Sequence, residues 1–477
     1  MELTLRLPPE EAATLHRAKP FAAARTGRTQ TRRRRIVWHD GLDRALAASG
    51  LAVSEQGGIW RLTRERPGRE EPWPPATDHR VLATAQTPAE TGVDVPDTLV
   101  PVAAFDGRQS VSALTVDGEA VVATLLLGML RAVAAERQVA LLTLEGPDAA
   151  VLALVHALAA VLPLIVPDQS LAAEAFGLAD GTVPVPRRAG APVLPKAGLT
   201  TQAAFAHILG HLTGAMLACA PGAADGAAGP EPVHQMRVAV RRARSALALF
   251  APVAGGPEVE RAADGLRALG RILGPARDWD VFATETAPPV EAVFPGDTEL
   301  RALLRTADRH RRVARAALST FLTGAAFRLL LLDLAWLAAR APDDTAPPDL
   351  PTFAASVLLG RWKKVVRTGK SLDALDHAGL HALRLKAKRL RYAAEFFLPL
   401  FPGKPAARFI ARLSVLQERL GVFNDTDVAA SLSREISARQ PHAAGLLLGF
   451  TAARATGIRP KIDRAWDLFR RRDPFWT

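Results

Sequence analysis

The chain has 477 residues, room for two or three domains that each bury a core of their own. Hydrophobic residues make up 49% and charged residues 23%, a balance that excludes wholesale disorder. The net charge of +12 directs attention to polyanionic partners, and a single cysteine, Cys219, excludes a disulfide framework or a cysteine-rich zinc site.

The opening Met1-Glu2-Leu3-Thr4 has no basic stretch followed by an apolar one. No signal peptide is expected, and the expected compartment is the cytoplasm. A helix is expected after Pro8-Pro9. Short Val/Leu/Thr runs at Val100–Phe105, Ser110–Val116, Glu119–Leu126 and Val139–Leu144 are punctuated by Asp-Gly and Gly-Gly pairs, and read as strands joined by turns. Ala149–Val166 is apolar apart from His156. It would reach roughly 27 Å, just under a bilayer core of about 30 Å. It is rich in alanine, contains Pro163 and follows Glu145 and Asp148, so it reads as a buried helix over Ala149–Leu162 rather than a membrane span. Thr182–Lys196, with four prolines, reads as a linker.

From Thr200 onward long Ala/Leu/Arg segments with helical spacing dominate, broken by loops at Pro221–Pro232, Ala251–Pro257, Ala287–Pro295, Ala341–Pro351 and Pro399–Pro405. The expected division is an α+β domain over 1–185, a linker over 186–197 and an all-α domain over 198–477. The all-α part repeats itself without gaps at an offset of 147 residues, from His234 to His381. Arg237, Arg241, Arg242, Arg244 and Phe250 match Arg384, Lys388, Arg389, Arg391 and Phe397. Farther on, Leu266, Leu269, Leu273, Gly274, Asp278, Asp280 and Val281 match Leu413, Leu416, Leu420, Gly421, Asp425, Asp427 and Val428. Two similar helical bundles, from about 198–345 and 346–477, are expected to face each other about a pseudo-two-fold axis.

On a helical wheel Arg237, Arg241 and Arg244 fall within about 80° of His234, while Met236, Val240, Ala243, Leu247 and Phe250 fall on the opposite side. His381, Arg384, Lys388 and Arg391 likewise oppose Leu383, Ala387, Leu390, Ala394 and Phe397. Arg242 and Arg389 sit at the edge of each strip, as does Tyr392. Cations crowded on one face repel, and a multivalent anion relieves that repulsion. Arginine presents fork-like donors that suit phosphate oxygens, and an anion near histidine favours its protonation. The alternative is a solvated basic face paired with carboxylates such as Asp278 or Asp425. Arg301, Arg305, Arg309, Arg312 and Arg315 share one broad helical face, and Lys363, Arg367 and Lys370 another; either could widen the site or be solvated.

A divalent metal beside these arginines would be repelled, and neither histidine has a histidine four residues on. No metal or cofactor is therefore expected. Asp278-x-Asp280 and Asp425-x-Asp427 read as helix N-caps or as orienting partners for arginines. No phosphate-binding glycine loop, nucleophile elbow or zinc-peptidase pattern is present, and no catalytic residue is assigned.

The paired strings His234–Phe250 and His381–Phe397, each followed by Leu-Gly-x-x-Arg277-Asp278 or Leu-Gly-x-x-Asn424-Asp425, resemble the CHAD family, the conserved histidine α-helical domain, over roughly residues 198–477. The resemblance implies two four-helix bundles and non-catalytic binding of inorganic polyphosphate in a basic cleft between them. It carries the binding role onto His234, Arg237, Arg241, Arg242, Arg244, His381, Arg384, Lys388, Arg389 and Arg391. Met1–Pro9, Val37–Val53 and Val139–Leu178 resemble a degenerate CYTH domain, a β-barrel or tunnel that hydrolyses triphosphates. The family's Glu-x-Glu-x-Lys signature is reduced here to Glu2, with Thr4 in the place of the lysine, and a later strand keeps only Glu145. Metal-dependent hydrolysis needs several convergent carboxylates, so a scaffold without that activity is expected. Attachment to polyphosphate or storage granules is the role this would serve. The alternatives are a nucleic-acid binder, which 6% aromatic content and the absence of a base-reading motif disfavour, and a triphosphatase acting through the N-terminal domain.

Overall fold

The computed structural model describes residues 2–64, 78–82, 98–167, 169–181, 189–190, 192, 194, 199–225, 229–339, 349–471 and 473–476. The elements run β1 (Glu2–Leu7), α1 (Pro9–Ala12), α2 (Lys19–Ala24), β2 (Gln30–Asp40), α3 (Ala45–Ala48), β3 (Leu51–Gln56), β4 (Ile59–Arg64), β5 (Asp78–Leu82), β6 (Val100–Val116), β7 (Glu119–Ala132), β8 (Glu136–Glu145), α4 (Asp148–Val161) and α5 (Leu171–Ala179). Among the described residues ten α-helices follow: α6 (Thr201–Ala224), α7 (Glu231–Phe250), α8 (Pro257–Val281), α9 (Ala287–Val293), α10 (Thr298–Thr323), α11 (Ala325–Ala339), α12 (Leu350–Gly369), α13 (His377–Phe397), α14 (Lys404–Glu435) and α15 (Pro441–Arg470). They form two compact units, Met1–Arg187 with Thr323–Arg340, and Arg188–Leu322 with Ala341–Thr477.

The first unit is α+β, as expected. Its eight strands among the described residues make one curled antiparallel sheet in the order β1-β8-β7-β6-β2-β3-β4-β5. Asp117 and Gly118 both take positive φ, 50° and 85°, as a two-residue hairpin turn requires, and they join β6 to β7. Asp106-Gly107 does not turn. Gly107 lies opposite Gly128, where a Cβ would come 2.4 Å from the Leu127 carbonyl oxygen. The glycine permits close strand approach, and the runs at Val100–Phe105 and Ser110–Val116 are one 17-residue strand. The helix expected after Pro8-Pro9 has only four residues.

Helix α4 packs on β6 and β7 and buries Val151, Leu154, Val155 and Leu158, so the apolar stretch is a core helix as its composition suggested. Ala172, Ala175 and Phe176 of α5 join Ile36, Trp38, Phe105, Leu130 and Val139 in a second cluster. Burying an aromatic such as Phe176 contributes about 1.5–3 kcal/mol. Helix α11 belongs to this unit, packed on α4, where Asp333 lies 3.1 Å from His156 Nε2. That pairing explains the one polar residue of the apolar run. Most of the proline-rich segment Thr182–Lys196 lies outside the described residues.

In the second unit the repeat extends from residues to elements. Shifted by 147, the start of α8 falls at the start of α14 and the end of α10 at the end of α15. Gly256 and Gly403, related by the same shift, take φ of 116° and 131° and begin α8 and α14. The side chains of Thr200, Asp349 and Asp376 cap α6, α12 and α13 by accepting from backbone N–H groups. Phe205, Phe250, Phe353 and Phe397, from α6, α7, α12 and α13, stack with centroids 5.2–6.2 Å apart. A second core gathers Trp279, Phe282, Val290, Leu300, Leu303, Ala429, Ile436 and Leu447 from α8 to α10 and α14 to α15. Each core thus draws on both repeats, which interlock. Helix α6 is long and apolar enough to cross a membrane, but most of it is buried, including Phe205, Leu209, Leu212 and Met216.

Candidate functional site

Helices α7 and α13 pack against each other. Each buries the apolar stripe that the wheel assigns it: Met236, Val240, Ala243, Leu247 and Phe250 on one, Leu383, Ala387, Leu390, Ala394 and Phe397 on the other. The stripes fix the rotation of both helices and so decide where the cations stand.

Arg237 Nη1 donates to the Gly274 carbonyl at 3.3 Å and lies 3.5 Å from Asp278 Oδ1. Arg244 is exposed and lies over Gly270. Arg241 reaches across to the other repeat, where its Nη2 donates to the Tyr392 hydroxyl at 2.7 Å. Burial lowers the Arg241 pKa, Tyr392 opposes that shift, and Arg237 and Arg384 add to it. Burial also lowers Arg384, against the attraction of Asp425 and with the repulsion of Arg237. Asp278 is raised by burial, opposed by Arg237 and reinforced by Asp425. Three guanidiniums and two carboxylates from both repeats therefore share one electrostatic cluster.

His234, half-buried at its margin, is held below the ordinary imidazole value, first by burial and then by Arg277, with Glu231 opposing and Arg241 adding. Its counterpart His381 is exposed, and Lys388 is half-buried. Arg391 lies 3.5 Å from Glu395, with its guanidinium 5.8 Å from the Tyr392 ring centre.

Arg242 and Arg389 match in sequence and differ in place. Arg242 is buried, 2.6 Å from Glu395 and 4.8 Å from the Tyr392 ring centre, whereas Arg389 is exposed. The difference follows from the partner helix: one repeat shift from Tyr392 and Glu395 stand Ser245 and Ala248, which offer Arg389 neither ring nor carboxylate. Tyr392, at the edge of the strip on the wheel, is buried and central, with three guanidiniums around its ring. Arg361 on α12 was not anticipated; burial lowers its pKa and Arg389 adds to the shift.

The two acidic pairs resolve differently from N-caps. Asp278 and Asp280 lie in the last turns of α8. Asp280 is fully buried and accepts from Arg311 Nε at 2.7 Å and from Arg315 Nε and Nη2 at 3.1 and 2.9 Å. Arg315 is thereby taken out of the α10 basic face, Arg301 donates to the Gly296 carbonyl, and Arg312 pairs with Asp308. Lys363 and Arg367 stay exposed on α12, as does Lys370 at its C-cap. Among the described residues no group of three or more His, Cys, Asp or Glu is arranged to hold a metal ion.

Residues 207–434 match the family model described as CHAD domain. Uncharacterized proteins from two strains of Mycobacterium tuberculosis are 32% identical over 171 residues, 34% of this chain and 33% of theirs, so the match spans about a third of those relatives. The crystal structure of the CHAD domain from the plant Ricinus communis is 31% identical, with a TM-score of 0.53, and covers 60% of this chain and 96% of that one. A Hippeastrum protein with a dominant triphosphatase activity is 15% identical, with a TM-score of 0.28, and covers 38% of this chain and 96% of its own.

Proposed function

This chain belongs to the CHAD family, and from that premise we propose that its helical unit binds inorganic polyphosphate without catalysing a reaction on it. One observation carries the reading: Arg237 and Arg384, from the two repeats, both lower the pKa of buried Arg241 on top of its desolvation, and Arg237 does the same to Arg384. Such an arrangement costs self-repulsion and desolvation, and a chain of phosphates supplies negative charge and acceptors along its whole length. His234, Arg244, His381, Lys388, Arg389 and Arg391 would extend the binding surface, and Arg242, engaged with Glu395, would hold Tyr392 and α13 in place. Nucleic acid is the lesser reading, because Tyr392 is buried and offers no face for a base to stack on. Such binding would attach the protein to polyphosphate or storage granules.

The sheet supports a non-catalytic reading of the first unit. Glu2 and Glu145 stand opposite each other, but the neighbouring pair on that face is Thr4 and Thr143, hydroxyl to hydroxyl at 2.9 Å, and Arg6 is ion-paired with buried Glu174. A hydrolytic metal site needs more convergent carboxylates than these.

Titration with long-chain polyphosphate and with single-stranded RNA of equal charge, at near-physiological salt, tests the proposal. Polyphosphate is expected to bind more tightly, with affinity falling steeply as salt rises. RNA binding as tight would overturn the assignment. Magnesium- or manganese-dependent release of phosphate from triphosphate, lost on Glu2→Ala, would overturn the non-catalytic reading.

A further inference from the structure

Strand β2 carries four consecutive arginines, Arg32–Arg35, that the repeat and its site leave unused. Alternation along the strand puts Arg33 and Arg35 on one face, and the register sets Arg33 directly opposite Arg108 and Arg35 opposite Asp106 of β6. Like charges directly opposite in an antiparallel pair repel, with Cβ atoms about 4.5–5.5 Å apart. A single carboxylate partly offsets this. Asp106 accepts from Arg33 Nε at 3.3 Å and Nη2 at 3.1 Å, a two-pronged grip that leaves the remaining Nη1 edge of an otherwise exposed guanidinium outward. The hydrogen bond from Arg33 holds the Asp106 carboxyl below its usual range, with Arg35 and Arg131 adding to the effect. Thr31, Arg32, Arg33, Asp106, Gly107 and Arg108 line a shallow cavity of about 420 Å³.

We propose that this arginine-lined cavity of the first unit is a second anion site, which takes a stretch of condensed phosphate chain at the protein surface. Charge complementarity names the ligand class. Arg32, on the opposite face by the same alternation, donates its Nε to Gln109, so the cavity face offers the guanidiniums of Arg33 and Arg108 beside one carboxylate, with a threonine hydroxyl and no aromatic ring; it suits phosphate oxygens and gives a base nothing to stack on. Asp106 orients Arg33, and Arg108 closes the opposite side. The site stands apart from the reading of the helical unit and does not depend on it.

The test uses the full chain with Arg237→Ala and Arg384→Ala as background, and fluorescent long-chain sodium polyphosphate as probe. The background variant is expected to retain salt-sensitive binding. Adding Arg33→Ala and Arg108→Ala is expected to weaken that residue of binding by roughly tenfold or more and to lower the salt slope by about 2, one for each phosphate that is no longer neutralised. Lysine at both positions should restore most of it, and thermal melting should not move, since both side chains are exposed. No residual binding in the background, or residual binding indifferent to Arg33 and Arg108, overturns the proposal. Polyadenylate RNA held as tightly at this site would overturn the condensed-phosphate assignment. Wild-type affinity in the background variant, abolished by Arg33→Ala with Arg108→Ala, would instead overturn the helical reading and uphold this one.

Discussion

At the scale of single residues, His234 links the cationic cluster to pH. Its imidazole is held below 6.5, largely by burial and by Arg277, so the free protein carries it neutral near pH 7. With the folded value depressed, the unfolded chain binds more protons as pH falls below 6.5. The contribution of His234 to stability is thus present above that pH and is lost as pH drops toward the folded value. A polyanion beside the ring reverses the preference, because the protonated form gains a charge partner and a second N–H donor. Polyphosphate affinity should therefore rise as pH falls through the imidazole range, and His234→Gln should flatten that rise. Calorimetric titration over a pH series decides the point; an unchanged slope in His234→Gln would show that the exposed His381 or another group carries the dependence.

At the scale of elements, two neighbouring carboxylates near the end of α8 do opposite work. Asp280 is fully buried and fastens α10 to α8 through Arg311 and Arg315. Asp280→Ala would remove the carboxylate that accepts from both Arg311 and buried Arg315, at a cost of about 3–5 kcal/mol, readable as a large drop in melting temperature. Asp278 is only partly buried and shares Arg237 with whatever anion approaches. Asp278→Ala should change stability by no more than about 1 kcal/mol, in the range of surface ion pairs. It should also tighten polyphosphate binding several-fold, because a competitor for Arg237 is removed. Weaker binding in that variant would mean that Asp278 serves chiefly to orient Arg237.

At the scale of the whole molecule, the question is whether the two repeats act as one site. Arg237 and Arg384 are the informative pair, since each belongs to a different repeat and Arg237 lowers the pKa of Arg384. Arg241 is a poorer choice despite its central place, because its bond to Tyr392 ties it to the packing of α7 against α13. Arg237→Ala and Arg384→Ala should each weaken polyphosphate binding roughly 10- to 100-fold, the scale of removing one charge-assisted hydrogen bond. The double variant should fall short of the sum of the two effects or exceed it, since neighbours in one network are not additive. Strict additivity, or an effect confined to one repeat, would speak against a shared site.

The sequence by itself determined the repeat, the helical character of the second half, the rotation of α7 and α13, and the identity of most of the cations. All of these rest on spacing along one chain, where a 3.6-residue period and a constant offset leave a direct trace. It also determined that the apolar run from Ala149 forms a core helix, α4, through its alanines and flanking acids. Tertiary structure alone decided the fate of individual charges. Arg242 and Arg389 are the same residue at the same repeat position, and only the neighbours on the facing helix, Glu395 and Tyr392 against Ala248 and Ser245, bury one and expose the other. Likewise no local pattern reveals that α11 packs with the first unit, that the aromatic core mixes the repeats, or that Arg33 lies against Arg108. Those pairings join residues far apart in the chain, and the free energy that selects them comes from burial and charge neighbours that exist only once the chain has folded.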